Sequence, residues 1–311
     1  MRLKVLVIGL FSLVFACFVV LSSAPEALPS SSVPAWFRKT KDLVSCHHHH
    51  EDDESCHTKK QRSTTLKLIR EAAFSGLFED LKGQLKFEAS GVACAGSCKK
   101  EEKYYAVFDS SMSLGYMDAS FSFRGVGNRL IGEKQEESQF EGIAYVPEND
   151  TFLLLQESLP IEREGETIYK PHTITAKIRK DLSGYDIIDR CKVDFELTHE
   201  NKGFEAIAYT RDENGTPLLL GMCEGNHCQG GKVGRDAGNG KIIVSKLTFV
   251  SGSCIWEPVE EIQVPREANF IDYSDMAINE DINKIAILSQ ENSAVFVRTW
   301  CFLVFLSSLE F

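Results

Sequence analysis

Short apolar runs alternate with polar loops along the chain, and one six-residue phrase occurs twice. "FEGIAY" spans Phe140 to Tyr145, and "FEAIAY" spans Phe204 to Tyr209. Each phrase is followed by a polar loop with turn residues ("VPEND", "TRDENGTP") and then by a second apolar run ("TFLLLQES", "LLLGMCEG"). This order predicts a strand, a hairpin loop and a second strand in both places. A phrase that is repeated together with its flanking pattern indicates a repeated structural unit.

Two looser copies extend the series. "EASGVA", from Glu88 to Ala93, precedes "KYYAVFDSS", and "DYSDMAI", from Asp272 to Ile278, precedes "KIAILSQENS". The corresponding positions are separated by 51, 64 and 69 residues: Ser90, Glu141, Glu205 and Ser274. Each interval has room for two further strands, and alternating segments such as "HTITAKIRK" and "KIIVSKLTFV" supply them. Four antiparallel strands in each unit predict an all-β fold, a β-propeller of four-stranded blades.

The alternatives to a propeller are a large β-sandwich or two β-domains with accidental similarity. We favour the propeller because chance rarely repeats a whole strand–loop–strand unit four times at a roughly constant period. The segment from Leu66 to Leu81 is compatible with an amphipathic helix or with a first strand.

The N-terminal residues 1–24 have the three parts of a signal peptide. A basic start ("MRLK") precedes a long apolar run, and small residues follow at Ser22 to Ala24. Because the three parts occur in order, we expect cleavage after Ala24 and no stable membrane span in the mature chain. The alternative is an uncleaved anchor that tethers the protein to a membrane, since the apolar run is long enough to nearly span a bilayer.

Export would agree with two further features. Asn149 and Asn214 begin glycosylation sequons, Asn-Asp-Thr and Asn-Gly-Thr. Eight cysteines remain of the ten when Cys17 and Cys301 are set aside, an even number that suits an oxidising compartment. Proximity in the sequence suggests disulfides within three close pairs, although the connectivity stays open: Cys46/Cys56, Cys94/Cys98 and Cys223/Cys228. We therefore predict a secreted protein, or one of the secretory-pathway lumen.

The rest of the chain divides into three parts. Residues 25–64 form a low-complexity linker rich in histidine and acids, and "CHHHHEDDESCH" within it contains good metal ligands. Consecutive histidines point in different directions, which favours a solvated linker over a defined metal site. Residues 65–300 are predicted to form the propeller domain. Residues 301–311 are an atypical apolar tail, too short to span a membrane as a helix.

Charge and motifs exclude several functions. The net charge of −11 argues against nucleic-acid binding, which requires a cationic surface. The sequence contains no G-x-S-x-G elbow, no P-loop and no H-E-x-x-H motif. "GKVGRDAGNGK", from Gly231 to Lys241, is glycine-rich but runs into a strand, so we interpret it as a flexible loop and not as a phosphate-binding loop.

The phrases "FEGIAYVPENDTFLLLQES" and "DYSDMAINEDINKIAILSQENSAVFV" resemble the SdiA-regulated-like and phytase-esterase-like β-propeller family. Members repeat an E-G-[IL]-A-Y phrase ahead of a hydrophobic strand, and the resemblance covers roughly Ser90 to Trp300. It implies a propeller that has six blades in complete relatives. The short C-terminus departs from that pattern and leaves ring closure open. The esterase label of the family brings no nucleophile motif that can be placed here.

A propeller would gather acidic residues on one rim. The residues that begin each first strand and those that end each second strand lie at the same end of their hairpin. We predict that Glu141 and Glu205, supported by Asp275, bind a divalent cation, with Ca²⁺ as the candidate because it prefers oxygen ligands. The remaining predicted ligand rim comprises Glu157, His199, Glu224 and Glu291. The alternative is that these acids bond to backbone amides and only tie the blades together.

Two functions remain open from the sequence. The first is a binding or scaffolding module whose acidic rim takes an unknown protein, glycan or small-molecule ligand. The second is a metal-dependent esterase or phosphoesterase with the ion in the central channel, which rests on analogy with the fold. The sequence pattern leaves open whether the chain is an enzyme.

Overall fold

The protein is all-β in the computed structural model, which describes residues 4–9, 16–21, 68–84, 86–95, 103–118, 120–133, 138–197, 200, 202–279 and 284–299. These residues contain eighteen strands, two one-turn α-helices and one 3-10 turn. The all-β prediction is therefore confirmed. No helix in the described ranges is long and apolar enough to cross a membrane.

The first sheet has three antiparallel strands, β1 (Lys4–Gly9), β2 (Ala16–Leu21) and β3 (Leu68–Ala73), in that order. The helical turn α1 (Phe74–Leu77) follows β3 directly. Residues 68–77 thus contain both a strand and a helical turn where the sequence left the choice open. Cleavage after Ala24 stays a prediction, and it would remove β1 and β2 from the mature chain.

The second sheet is an antiparallel unit of four strands in chain order. Its strands are β4 (Ala89–Ala95), β5 (Lys103–Phe108), β6 (Ser111–Asp118) and β7 (Arg129–Ile131). A core of aromatic rings joins this sheet to α1, with Phe74 and Phe78 packed on Phe87 and Phe108. The apolar residues of the helical turn therefore pack it on the first four-stranded unit.

The third sheet has eight strands and consists of two further four-stranded units. One unit contains β8 (Phe140–Val146), β9 (Thr151–Arg163), β10 (Glu166–Ile178) and β11 (Tyr185–Val193). The other contains β12 (Phe204–Arg211), β13 (Pro217–Cys223), β14 (Lys241–Val250) and β15 (Ser253–Gln263). Within each unit the strands pair antiparallel in chain order. The repeated phrase is the first strand of each unit.

The last strands of the two units join them into one sheet. β11 and β15 pair in parallel through Lys192 with Ile255 and Val193 with Trp256. A disulfide between Cys191 and Cys254 links the same two strands. The buried Trp256 indole donates a hydrogen bond of 2.9 Å to the Thr173 hydroxyl on β10. A covalent bond, a short parallel ladder and a buried indole thus hold the outer edges together.

The fourth sheet has three strands, β16 (Asp275–Ile278), β17 (Lys284–Ser289) and β18 (Ala294–Thr299). β16 and β17 form the hairpin expected from the fourth copy of the repeat. Each neighbouring pair of units shares an apolar core. Leu154 and Val107 pack between the first two, Leu155 and Ile243 between the second and third, and the last core contains Leu220 and Ile287.

The loop after β13 is more structured than the sequence predicted. The Cys223–Cys228 disulfide is present, as expected, and a 3-10 turn at Asn226–Cys228 lies inside it. The glycine-rich segment, predicted to be a flexible loop, contains the helical turn α2 (Gly231–Gly234). Buried Asn226 organises the loop: its amide donates to the Ile271 carbonyl at 2.9 Å, and its Oδ1 accepts from the backbone amide of Asn239 at 2.7 Å.

The predicted Cys94–Cys98 pair involves Cys98, which lies outside the described residues.

Candidate functional site: an acidic pocket at the bulged ends of the first strands

A β-bulge interrupts the first strand of three units at the same position of the repeat. On β8, Phe140 lies opposite Gln156 and Gly142 lies opposite Leu155, so Glu141 is the extra, unpaired residue. The pairing of β12 makes Glu205 the extra residue, and that of β4 makes Ser90 the extra residue. A bulge turns its residue out of the strict strand alternation, and bulges are common beside functional sites. The bulge therefore changes the direction of the side chain at the acidic position of the repeated phrase.

The residue after each bulge is small because the first strands of successive units approach closely there. A Cβ added to Gly91 would lie 3.0 Å from the Gly142 Cα, and one added to Gly142 would lie 3.1 Å from the Ile207 amide nitrogen. The third unit has Ala206 at this position. The Gly-Ile-Ala and Ala-Ile-Ala parts of the repeated phrase thus bring β4, β8 and β12 side by side. Glu141 and Glu205 consequently lie near each other at one end of these strands.

A cavity of about 650 Å³ opens at this end of the strands, and we call it the acidic pocket. Six carboxylates and two lysines are among the residues that line it: Glu88, Asp109, Glu141, Glu157, Glu205, Glu224, Lys86 and Lys202. Ser110 and Gln139 complete the lining. Four of the seven residues predicted from the sequence as metal ligands or rim residues therefore meet in one pocket.

Three of these side chains form a closer group, which we call the glutamate triad. Glu157, Glu205 and Glu224 each offer a carboxylate oxygen, and these oxygens all lie within 4.8 Å of one another. Each residue comes from a different strand or strand end: Glu157 from β9, Glu205 from the bulge of β12, and Glu224 from the position after β13. Such spacing allows one cation to contact all three carboxylates.

Lys202 brings a positive charge to the glutamate triad. Its ammonium donates hydrogen bonds to both carboxylate oxygens of Glu224. The other lysine of the pocket, Lys86, pairs with Glu88 instead. Lys202 is not among the site residues that the sequence predicts, although its position directly before the "GFEAIAY" phrase places it at the same strand end as Glu205.

Gly203 joins Lys202 to the triad through the backbone. Its amide donates to Glu157 Oε1 at 2.8 Å, and its carbonyl accepts from the Glu224 amide at 3.0 Å. A Cβ at this position would lie 2.7 Å from the Glu157 Cγ and 2.9 Å from the Glu157 carbonyl oxygen, too close for any side chain. The absence of a side chain at Gly203 therefore lets β9 and the start of β12 meet.

Burial, together with the crowding of carboxylates, raises the pKa values of four glutamates in the pocket. Burial, with the charges of Asp109 and Glu157, holds the pKa of Glu141 well above its ordinary range, and burial with the charge of Glu141 does the same for the pKa of Glu205. Burial, reinforced by the charge of Glu224, raises the pKa of Glu157 to about 7. Burial also raises the pKa of Glu224, although its bond to Lys202 opposes the shift. Each shift means that a negative charge here costs free energy unless a cation or proton offsets it.

The other predicted site residues do not line the pocket. Asp275 begins β16 and accepts a 2.7 Å hydrogen bond from the Met276 amide, and burial raises its pKa to about 7. Glu291 is exposed and forms a bidentate ion pair with Arg235 at 2.6 and 2.7 Å, which lowers the pKa of Glu291. His199 lies outside the described residues. Asn149 and Asn214 are exposed in the β8–β9 and β12–β13 turns, at the opposite end of these hairpins from the pocket.

Comparison with known proteins adds little. No protein-family model matches the chain, and no curated protein matches it. Among solved structures, an exo-beta-1,3-galactanase from Clostridium thermocellum is similar at 12% identity, with a TM-score of 0.37, over 92% of this chain and 53% of that one. Hydrazine synthase of Kuenenia stuttgartiensis is similar at 11% identity, with a TM-score of 0.30, over 67% and 58%. The chain therefore spans little more than half of either protein, and similarity at this level carries no argument about function.

Proposed function

We propose that the chain is a secreted β-propeller that binds a divalent cation in the acidic pocket. The propeller assignment is supported by the repetition of the unit. Antiparallel units follow one another along the chain, neighbouring units share an apolar core, and the first strands β4, β8 and β12 lie side by side through Gly91 and Gly142. Blades arranged around an axis would pack in this way, which supports the proposal. The resemblance to the SdiA-regulated-like and phytase-esterase-like family agrees with it.

The observation that supports cation binding is the glutamate triad. Three carboxylate oxygens lie within 4.8 Å of one another, in a pocket whose acids outnumber its lysines by six to two. Carboxylates at such spacing repel one another, and a divalent ion reverses the sign of that interaction. Ca²⁺ takes about six to eight oxygen ligands, and Mg²⁺ takes oxygen ligands too, so Glu157, Glu205 and Glu224 would hold either, with Glu141 nearby.

The triad revises the ligand set that the sequence suggested. Glu205 belongs to both sets, Glu141 lines the same pocket, and Asp275 is replaced by Glu157 and Glu224. The last two were expected on the rim as ligand residues. We propose a binding module in which the ion forms the polar floor of the pocket and presents open coordination positions to a ligand.

Isothermal titration calorimetry tests this proposal. CaCl₂, MgCl₂ and MnCl₂ are titrated into the chelator-treated protein at pH 7.5, and into Glu205→Gln and Glu257→Gln variants. Glu257 is exposed on β15, away from the pocket, so its variant is the matched control. We expect Glu205→Gln to weaken binding by about tenfold or more, because one charged ligand is lost, and Glu257→Gln to behave as the wild type.

The same titration in buffers of different ionisation enthalpy should show that protons are released on binding, since carboxyls with raised pKa values must ionise to bind metal.

Absence of binding by all three ions, in calorimetry and in thermal melts, would refute the proposal. Metal-dependent hydrolysis is the second function that the sequence left open, and it stays a prediction. Turnover of aryl esters or phosphoesters that is lost with chelator and with Glu205→Gln would place that activity at the same pocket.

A further inference from the structure

The ammonium of Lys202 lies in the field of the same three carboxylates that would bind the ion. It bonds to Glu224, and the charges of Glu224, Glu205 and Glu157 together outweigh burial and raise the pKa of Lys202. The Lys202 side chain thus places a covalently attached positive charge at the glutamate triad. An ammonium and a divalent ion both neutralise carboxylates, so they compete for the same oxygens.

The pocket keeps an acceptor that Lys202 does not satisfy. Glu205 is half-buried and lies at the bulge of β12, and within the described part of the chain its carboxylate forms no hydrogen bond or ion pair. A carboxylate that is partly removed from solvent normally has hydrogen-bond donors around it. The Lys202 ammonium bonds to Glu224 and leaves the Glu205 carboxylate without a donor. A divalent ion between the three carboxylates would use these free acceptor oxygens.

The structure also lets the ammonium leave while the carboxylates stay in place. The Lys202 side chain is 39% exposed, whereas the Glu224 side chain is 21% exposed. The neighbouring backbone is held by both bonds of Gly203, to Glu157 and to Glu224. A lysine has a flexible four-carbon stem, so its charge can swing to solvent by side-chain rotation alone. No movement of β12 is required.

We propose that Lys202 is a built-in competitor of the metal ion, which neutralises the glutamate triad in the ion-free protein and is displaced into solvent when a divalent cation binds. This inference rests on the proposed function and adds a residue that sets its affinity. Since each bound ion must displace the ammonium, the protein would bind only at cation concentrations above those that the triad alone would need.

Calorimetry with CaCl₂ on three variants tests the competition. Lys202→Met keeps an apolar stem of similar length and removes the charge, and Lys202→Arg keeps the charge. Lys86→Met is the matched control, because Lys86 lines the same pocket but pairs with Glu88. We expect Lys202→Met to tighten Ca²⁺ binding by about tenfold or more, since a repelling charge and a competitor are both removed. Lys202→Arg should bind no more tightly than the wild type, and Lys86→Met should change the affinity by less than about threefold, because its charge is already paired outside the triad.

A second measurement uses the unaltered protein and so does not depend on how a variant folds. Lysine side chains are labelled by brief reductive methylation with and without CaCl₂, and labelling at each lysine is quantified by mass spectrometry. Release of the ammonium should increase labelling at Lys202 and leave Lys86 unchanged. The inference is wrong if Lys202→Met binds Ca²⁺ no more tightly than the wild type, or if labelling at Lys202 falls with CaCl₂. Binding of the ion by the wild type would still support the proposed function in that case. If neither the wild type nor Lys202→Met binds any divalent ion, the proposed function itself fails.

Discussion

Replacement of Glu157 by glutamine should make the ion-free protein more stable at alkaline pH, and the size of the effect follows from the pocket. Burial raises the pKa of the Glu157 carboxyl from 4.5 to about 7, and the charge of Glu224 adds to the shift against the opposing Gly203 hydrogen bond. One pKa unit corresponds to about 1.4 kcal/mol of difference between the two protonation states. Ionised Glu157 therefore costs the folded state about 3 kcal/mol relative to the unfolded chain.

The sign follows from proton binding. Between the unfolded pKa of 4.5 and the folded pKa of about 7, the folded protein holds the Glu157 proton and the unfolded chain has lost it. The stabilisation is therefore complete below pH 4.5, and it is lost as the pH rises through 7. Glutamine is neutral at every pH, and its amide oxygen can still accept the Gly203 hydrogen bond. The advantage of Glu157→Gln should grow from near zero at pH 4 to about 3 kcal/mol at pH 8.

Urea unfolding at pH 4, 6 and 8, in chelator and with the disulfides intact, measures this difference. The Glu257→Gln variant on β15 is the control, for which we expect no difference that changes with pH. A Glu157→Gln advantage that is constant across the three pH values, or a variant less stable than the wild type at pH 8, would refute the reasoning. Saturating CaCl₂ should reduce the advantage of Glu157→Gln at pH 8, because the ion binds most tightly to the site that keeps all its carboxylates.

Three further outcomes are expected. Non-reducing peptide mapping should show Cys191 linked to Cys254. Replacing both cysteines by serine should lower the free energy of unfolding in urea by about 4 kcal/mol, because the bond closes a long loop. An unchanged free energy of unfolding in that variant would contradict this. Gly203→Ala should weaken Ca²⁺ binding by about tenfold or more in calorimetry, since its Cβ collides with Glu157, and wild-type affinity would show that the contact is irrelevant. Secreted material should begin near Pro25 and shift in mobility after glycosidase treatment; an intact Met1 on an unglycosylated protein would contradict export.

The amino-acid sequence by itself determined the strands and hairpins. Alternation of apolar and polar positions and the turn residues of "VPEND" and "ENG" act between neighbours in the chain, so β8–β9 and β12–β13 could be predicted from the repeated phrase. The Cys223–Cys228 bond was predictable for the same reason, because its partners are separated by five positions. The gathering of Glu141, Glu157, Glu205 and Glu224 at one end of the hairpins also followed from the antiparallel order of the strands.

Only the tertiary structure decided which of these carboxylates approach one another and what accompanies them. The bulges at Glu141 and Glu205 depend on the register of a partner strand, and the pairing of Cys191 with Cys254 depends on the parallel contact of two strands in different units. Lys202 joins the pocket, and Asp275 does not line it, because side-chain direction is set by the packing of whole sheets. Contacts between distant residues carry no local signal in the chain, since their free energy is gained only after the loops between them have closed.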